Sequence, residues 1–211
     1  MSVTSVESVN GFNGLTDRTG STDKTRMAVM LRRVLSRAYF NRPTLRVARS
    51  LLGKYLVRKN GSKTLTGRII EVEAYIGPED RACHASRGRT ARTDVMFGPA
   101  GVAYVYLVYG MHHCFNIVTE RVGYPSAVLV RAVENADTQA LIDGPGRVCR
   151  FLMIDRTLNR SDLTMGERLW VEDRGERIPA STIAAYPRIG VDYAGKWATK
   201  PWRFRLKGAD G

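Results

Sequence analysis

Three clusters of side chains in this 211-residue chain have the types and spacing to do chemistry. Glu71, Glu73 and Tyr75 recur at every second position of one run, so on a strand they share a face. Two carboxylates beside a phenol are either a solvated sheet edge, the base-rate reading for acidic residues, or one wall of a cleft. Arg131 interrupts the apolar run at 127–132, and a cation carried into such a run needs an acidic partner, because unpaired charge is costly to bury. Glu73 or Glu71 would serve. The third cluster, within 103–116, holds Tyr104, Tyr106, Tyr109, Met111, His112, His113, Cys114 and Asn116. Its first half alternates like a strand, with Tyr104 and Tyr106 on one face and Val105 and Leu107 on the other. Tyr109-Gly110-Met111-His112 breaks the alternation and 113–119 resumes it, which predicts a β-hairpin with an aromatic, apolar tip. Hairpin tips are usually polar. On a basic protein this one suits a wedge pushed between stacked bases; the plain structural alternative is an aromatic strand packed on a core.

Several elements must hold these clusters. Residues 1–24, rich in Ser, Thr, Gly, Asn and Asp, read as a disordered leader, and 25–211 as one domain. The basic amphipathic run 25–39 predicts a helix, and 44–52 predicts another with Gly53 as its stop. A short strand is expected at 54–58, and Asn60-Gly61 signals a hairpin turn leading to a strand at 66–75. Strict alternation there puts Arg68, Ile70, Val72 and Ala74 opposite Ile69, Glu71, Glu73 and Tyr75. Gly77-Pro78-Glu79-Asp80 reads as a turn leading to Arg81-Ala-Cys-His84. Arg87, Arg89, Thr90 and Arg92 lie on loop-like sequence, where they would grip a phosphate backbone or simply be solvated. Then come a buried-type strand at 127–132, a short linker at 133–144, a helix from Gly144-Pro145-Gly146 through Leu152, and strands at 169–172 and 202–206. No regular βαβ alternation is present, so the predicted class is α+β with a largely antiparallel sheet.

Lys and Arg number 33 against 20 Asp and Glu, a formal charge of +13 that indicates a polyanionic partner, nucleic acid first and a membrane surface second. No segment approaches the roughly 18 to 20 apolar residues of a membrane span, and no secretory signal is visible. Three cysteines without a close pair argue against a disulfide framework, each reading most simply as a small buried hydrophobe. An intracellular protein is expected. The basic residues are mostly arginine, and no lysine occurs between Lys63 and Lys196.

Val72-Glu-Ala-Tyr75-Ile-Gly-Pro-Glu-Asp80 followed by Ala82-Cys-His84, then Met96-Phe-Gly-Pro, then Tyr104 to Met111, Asn116 and Leu129-Val-Arg131-Ala, resembles the alkyladenine (3-methyladenine) DNA glycosylase family in its bacterial type. The resemblance runs over about 44–206 and includes Gly144-Pro-Gly-Arg-Val-Cys149, Arg188-Ile-Gly-Val191 and Lys200-Pro201. It implies a single mixed domain with a curved, largely antiparallel sheet, surrounding helices and a protruding hairpin. It also implies removal of alkylated or deaminated purines from double-stranded DNA, by a monomer in the cytoplasm or nucleoid of a bacterium, with no cofactor and no metal. Glu73 then matches the carboxylate that deprotonates the attacking water, and Arg131 the arginine beside it. Tyr75, His84 and Tyr106 match the side chains lining the pocket for the flipped base. Ala82 matches a backbone contact to that base, and Asn116 the residue that crowds out the 2-amino group of guanine. Tyr109 matches the intercalating residue, with Met111 beside it. Glu71 matches no catalytic position, and strand alternation alone does not separate it from Glu73. Two departures stand out: His112 replaces a tyrosine found in some members, and the 133–144 linker is short where some members carry a helical insertion.

The lysine-free span implies a monofunctional enzyme, since glycosylases that also cut the backbone use an amine to form a Schiff base. Two rivals compete. A metal hydrolase would use the three histidines, but Cys-x-x-Cys and His-Glu-x-x-His spacings are missing. A non-catalytic nucleic-acid-binding module of the same fold would explain charge and wedge equally well, but it has no reason to hold a Glu73/Arg131 pair in a base pocket.

Overall fold

The computed structural model describes residues 32–208, so the expected leader at 1–24 lies outside it. The described chain forms, in order, β1 (Arg33–Val34), α1 (Arg37–Phe40), α2 (Thr44–Leu51), β2 (Tyr55–Asn60), β3 (Lys63–Ile76), β4 (Ala103–Val108), β5 (His112–Val118), β6 (Ser126–Asn135), β7 (Leu141–Asp143), α3 (Pro145–Phe151), β8 (Leu169–Asp173), β9 (Ile183–Tyr186) and β10 (Arg203–Leu206). Short 3₁₀ turns fill several connections, among them His84–Arg87 and Asp94–Phe97. All pairings between the strands are antiparallel, and the sheet curls into a half-barrel of order β1-β8-β2-β3-β6-β5-β4. The long strand β3 is its centre. β6 takes one edge of it, and β2 and β10 take successive lengths of the other. The α+β expectation holds.

Alternation then assigns two faces. Val72 and Ala74 on β3, Val105 on β4, Phe115 and Ile117 on β5, and Val128, Val130 and Ala132 on β6 join the main core with Val47, Ala48 and Leu51 of α2 and Val148 and Cys149 of α3. Each large apolar side chain so buried contributes about 1.5–3 kcal/mol. The residues between them, including Glu73, Tyr75, Tyr104, Tyr106, Asn116, Leu129 and Arg131, point to the other face, which is hollow. The simple period fails at one place. The β3–β6 register shifts between Ile69, Glu71 and Val72, and both Ile69 and Ile70 enter the core. Arg68 therefore leaves the face that strict alternation gives it and pairs with Glu134 and Glu176. An extra residue in one strand resets the two-residue phase and bends the strand.

Other expectations need correction. The described part of 25–39 is not one helix: Arg33–Val34 pairs with Asp173 and Glu172 on β8, and α1 starts only after Ser36, whose backbone is extended. An open sheet edge captured sequence that also carries helical spacing. Residues 25–31 lie outside the described residues. The 133–144 linker is a hairpin, since β6 continues to Asn135, turns, and returns as β7. The helix at 44–52 forms as expected, with Gly53 at φ +78° behind it and the Thr44 amide, free of any intrahelical partner, donating to Glu120. The hairpin at Asn60-Gly61 also forms. All three cysteines are free and buried. No helix among the described residues is long and apolar enough to cross a membrane.

Candidate active site

The hollow face holds a cavity of about 530 Å³, a size ordinary for a small-molecule site. Glu73, Tyr75, Ala82, His84, Tyr106, Asn116 and Arg131 come from β3, the turn after it, β4, β5 and β6, and all line it. Glu73 is wholly buried, 0 % exposed. Its Oε1 accepts the Ile189 amide at 2.9 Å and its Oε2 accepts the Tyr75 hydroxyl at 2.8 Å. Arg131 stands 3.5 Å from Glu73 through Nη1 and 3.5 Å from Glu71 through Nε. The arginine's acidic partner is thus both glutamates.

A solvated edge is excluded for these carboxylates, because β3 is paired on both sides at this point and Glu71 is 1 % exposed. Glu71 also receives Arg203 at 2.8 Å and Arg205 at 2.5 Å, both from β10. Three guanidiniums surround Glu71, whereas Glu73 shares one and faces the cavity. Strand geometry therefore separates two carboxylates that sequence alternation leaves equivalent.

Burial pushes the Glu73 carboxyl above the ordinary glutamate range, against the opposing pull of Arg131, the Ile189 amide and the Tyr75 hydroxyl. A carboxylate so placed is a stronger base than one in water. Burial also holds the Tyr75 phenol protonated, as a donor to Glu73. His84 is pushed down to about 4, by burial first and by Arg92 second, so its imidazole is neutral near pH 7. Its Nδ1 lies 3.0 Å from the Tyr104 hydroxyl, and its ring meets Tyr106 edge-on with centroids 4.6 Å apart. Asn116 donates to the Tyr104 carbonyl at 3.1 Å, which fixes its amide in the wall. Among the described residues no group of three or more His, Cys, Asp and Glu is placed to hold a metal ion.

The β4–β5 hairpin carries Tyr109 at its tip, 91 % exposed, with Met111 70 % exposed two residues on. Tyr109 adopts φ +49°, uncommon for a residue other than glycine, and it also lines the cavity mouth. Met111 lines a separate cavity on the β5 side. Arg87, Thr90 and Arg92 line a groove that shares His84 and Arg92 with the main cavity, and the Arg92 guanidinium lies 4.8 Å from the Tyr106 ring centre. Arg89 is outside that lining, bound to Asp94 at 2.6 Å.

One supporting pair escaped the residue-level reading. Asp80 and Arg188 are both completely buried in their side chains and joined through two contacts of 2.5 and 2.9 Å. Asp80 also accepts the amides of Ile76 and Ala82, while Arg188 donates to the Ala74 and Trp197 carbonyls and lies 4.8 Å from the Tyr75 ring centre. The pair ties the turn after β3 to the segment whose next amide, Ile189, holds Glu73. Gly77 makes that turn: its φ is +70°, and a Cβ there would collide with the Tyr124 hydroxyl.

Comparison with known proteins shows what the chain as a whole is similar to. Residues 38–210 match the family described as Methylpurine-DNA glycosylase (MPG). A Myxococcus xanthus protein is 53 % identical over 176 residues, 82 % of this chain and 90 % of its own length. One from Methanocella arvoryzae is 50 % identical over 185 residues, covering 81 % and 91 %, and one from Legionella pneumophila (strain Corby) is 49 % identical over 177 residues, covering 83 % and 95 %. Each bears the name "Putative 3-methyladenine DNA glycosylase".

Proposed function

The chain belongs to the methylpurine-DNA glycosylase family and is on that ground a DNA glycosylase of DNA repair; we propose that it hydrolyses the N-glycosidic bond of flipped, damaged purines with water activated by Glu73. The observation that carries this reading is Glu73 itself, a fully buried carboxylate in a cavity walled by aromatic rings, oriented by two hydrogen bonds and an arginine. Extruding a base costs a few kcal/mol, least for a damaged or mispaired one. Tyr109 and Met111 fill the gap in the stack, and Tyr75, His84 and Tyr106 receive the base. Arg87, Arg89, Thr90 and Arg92 hold the phosphate backbone.

Glu73 takes a proton from water, whose oxygen bonds to the anomeric carbon as the glycosidic bond breaks through an oxocarbenium-like state. The base leaves with the bonding electrons. A cationic alkylpurine departs as a neutral molecule and needs no acid, and the aromatic faces favour its charge. Substrates of this kind are 3-methyladenine and 7-methylguanine, with ethenoadenine and hypoxanthine as neutral ones. His84, held to a pKa of about 4, is a poor proton donor to those neutral bases near pH 7. Asn116 restricts the wall against the 2-amino group of guanine. Among the described residues no lysine lines the cavity, which supports hydrolysis without strand cleavage.

The excision rate should rise with pH along an acid limb, because Glu73 accepts a proton only when ionised. Its raised pKa places the midpoint of that limb above 4.5. Single-turnover rates between pH 4 and 8 would show this, and a pH-independent rate over that range would contradict it. Tyr109→Ala removes a side chain that supports nothing in the fold, so unfolding free energy should move by less than about 0.5 kcal/mol. Lesion-duplex affinity should fall about 5- to 150-fold, the worth of one base–aromatic stack. Fluorescence anisotropy measures the second quantity, and equal affinities would remove the wedge role. The reaction itself is tested by excision from lesion-bearing duplex.

A further inference from the structure

The second cavity, of about 550 Å³, lies under the β5 side of the hairpin and has no part in the chemistry above. Arg58, Arg150 and Arg168 line it with His112, His113 and Met111. Arg58 is only 6 % exposed. Its Nη1 donates to the Lys59 and Arg168 carbonyls, and its buried Nε has no hydrogen-bond partner. Among the described residues none of the three arginines reaches a carboxylate at salt-bridge distance. The one acid in the lining, Asp155, is turned to Thr157, whose amide and hydroxyl its Oδ1 accepts. Three cations against one anion leave the lining at +2 before either histidine contributes.

A buried guanidinium without a counter-charge is costly, and the fold elsewhere supplies carboxylates to its buried arginines, as at Arg131 and Arg188. Arginine forks match tetrahedral oxyanions. We infer that this cavity is a phosphate subsite, with Arg58 as its floor and Arg150 and Arg168 as its rim. Met111 connects it to the proposed wedge: Tyr109 borders the base cavity and Met111 borders this one, so a duplex entered by the tip runs past both. The phosphate source that follows is the DNA backbone flanking the wedge, which rests on the glycosylase reading; the anion site itself does not. Gly146 is part of the construction, since a Cβ there would come within 3.2 Å of the His112 Cβ and push α3 away from the hairpin.

The test uses the full chain and an Arg150→Ala/Arg168→Ala double variant, with Arg46→Ala, exposed on α2 and outside these cavities, as control. Binding to undamaged duplex is measured across potassium chloride concentrations. Loss of one phosphate contact should flatten the plot of log K against log [salt] by about 0.9 in the double variant and not in the control. Separately, melting is followed with inorganic phosphate at constant ionic strength. A flattened slope supports the subsite with DNA as its source. An unchanged slope with phosphate raising the melting temperature of the parent alone supports a site for a free anion. If the slope is unchanged and phosphate stabilises neither protein, the proposal is overturned. A parent protein that neither binds nor excises from DNA would sink the glycosylase reading, while the melting arm would still decide on the anion site.

Discussion

Duplex DNA carrying one hypoxanthine or ethenoadenine should break at the lesion after incubation with this protein and heating in alkali, and Glu73→Gln should slow that excision about 10²- to 10⁴-fold. The substitution keeps the shape; its amide oxygen still accepts from the Ile189 N–H, and its Nε2 donates to the Tyr75 hydroxyl oxygen once that hydroxyl turns, so the pocket survives while the base is lost. Lesion binding should be retained, since the aromatic walls and the hairpin are untouched. Randomly methylated DNA, run in parallel, separates cationic from neutral leaving groups. Strand breakage before alkali would refute hydrolysis without lyase action. Tight lesion binding by the parent protein with no excision of any of these bases would favour the non-catalytic module instead. Glu71→Gln is the informative companion. It weakens the anchorage of Arg131, Arg203 and Arg205 and so acts on stability first, whereas Glu73→Gln acts on rate.

The largest loss of stability is expected at Asp80. Asp80→Ala strands a completely buried Arg188 and releases the amides of Ile76 and Ala82, and breaking a buried pair from one side costs about 3–5 kcal/mol. Against a typical total of about 5–15 kcal/mol, that is a large fraction of the folded state's margin. The urea midpoint should fall accordingly at constant slope. A change below about 1 kcal/mol would show that water replaces the carboxylate and that the pair is not structural. Excision should suffer with it, because Asp80 anchors Arg188, whose neighbour Ile189 orients Glu73 through its amide.

Local pattern made part of this site legible. The alternation of 103–107 correctly separates Tyr104 and Tyr106 from Val105, and the break after it gives an exposed tip at Tyr109 and Met111. Arg131 in an apolar run demands a carboxylate, and two are there. What stayed hidden depends on which distant strands meet. Glu71 reads as a surface residue until β10 arrives from 132 positions away with Arg203. Asp80 and Arg188 are 108 residues apart, and neither stands in a periodic context. Only the resemblance of Arg188-Ile-Gly-Val191 to a family motif marked that segment, and it gave no reason for the arginine. The phase reset at Ile70 leaves no mark on a run already rich in β-branched residues, and the edge position of Arg33–Val34 is decided by β8.

The division of the sheet into a packed face and a hollow face has a consequence for how such an enzyme changes over generations. At 103–106 on β4, 114–117 on β5 and 127–132 on β6, residues that hold the molecule together alternate with residues that shape the cavity. A substitution at Leu129, Asn116 or Cys114 reshapes the cavity wall while the neighbours Val128, Val130, Phe115 and Ile117 keep their place in the core. The shape of the cavity can therefore drift by single steps without forfeiting foldability. Glu73 is the exception within that adaptable surface, since its carboxylate is fastened to segments on both sides and tolerates no such wandering.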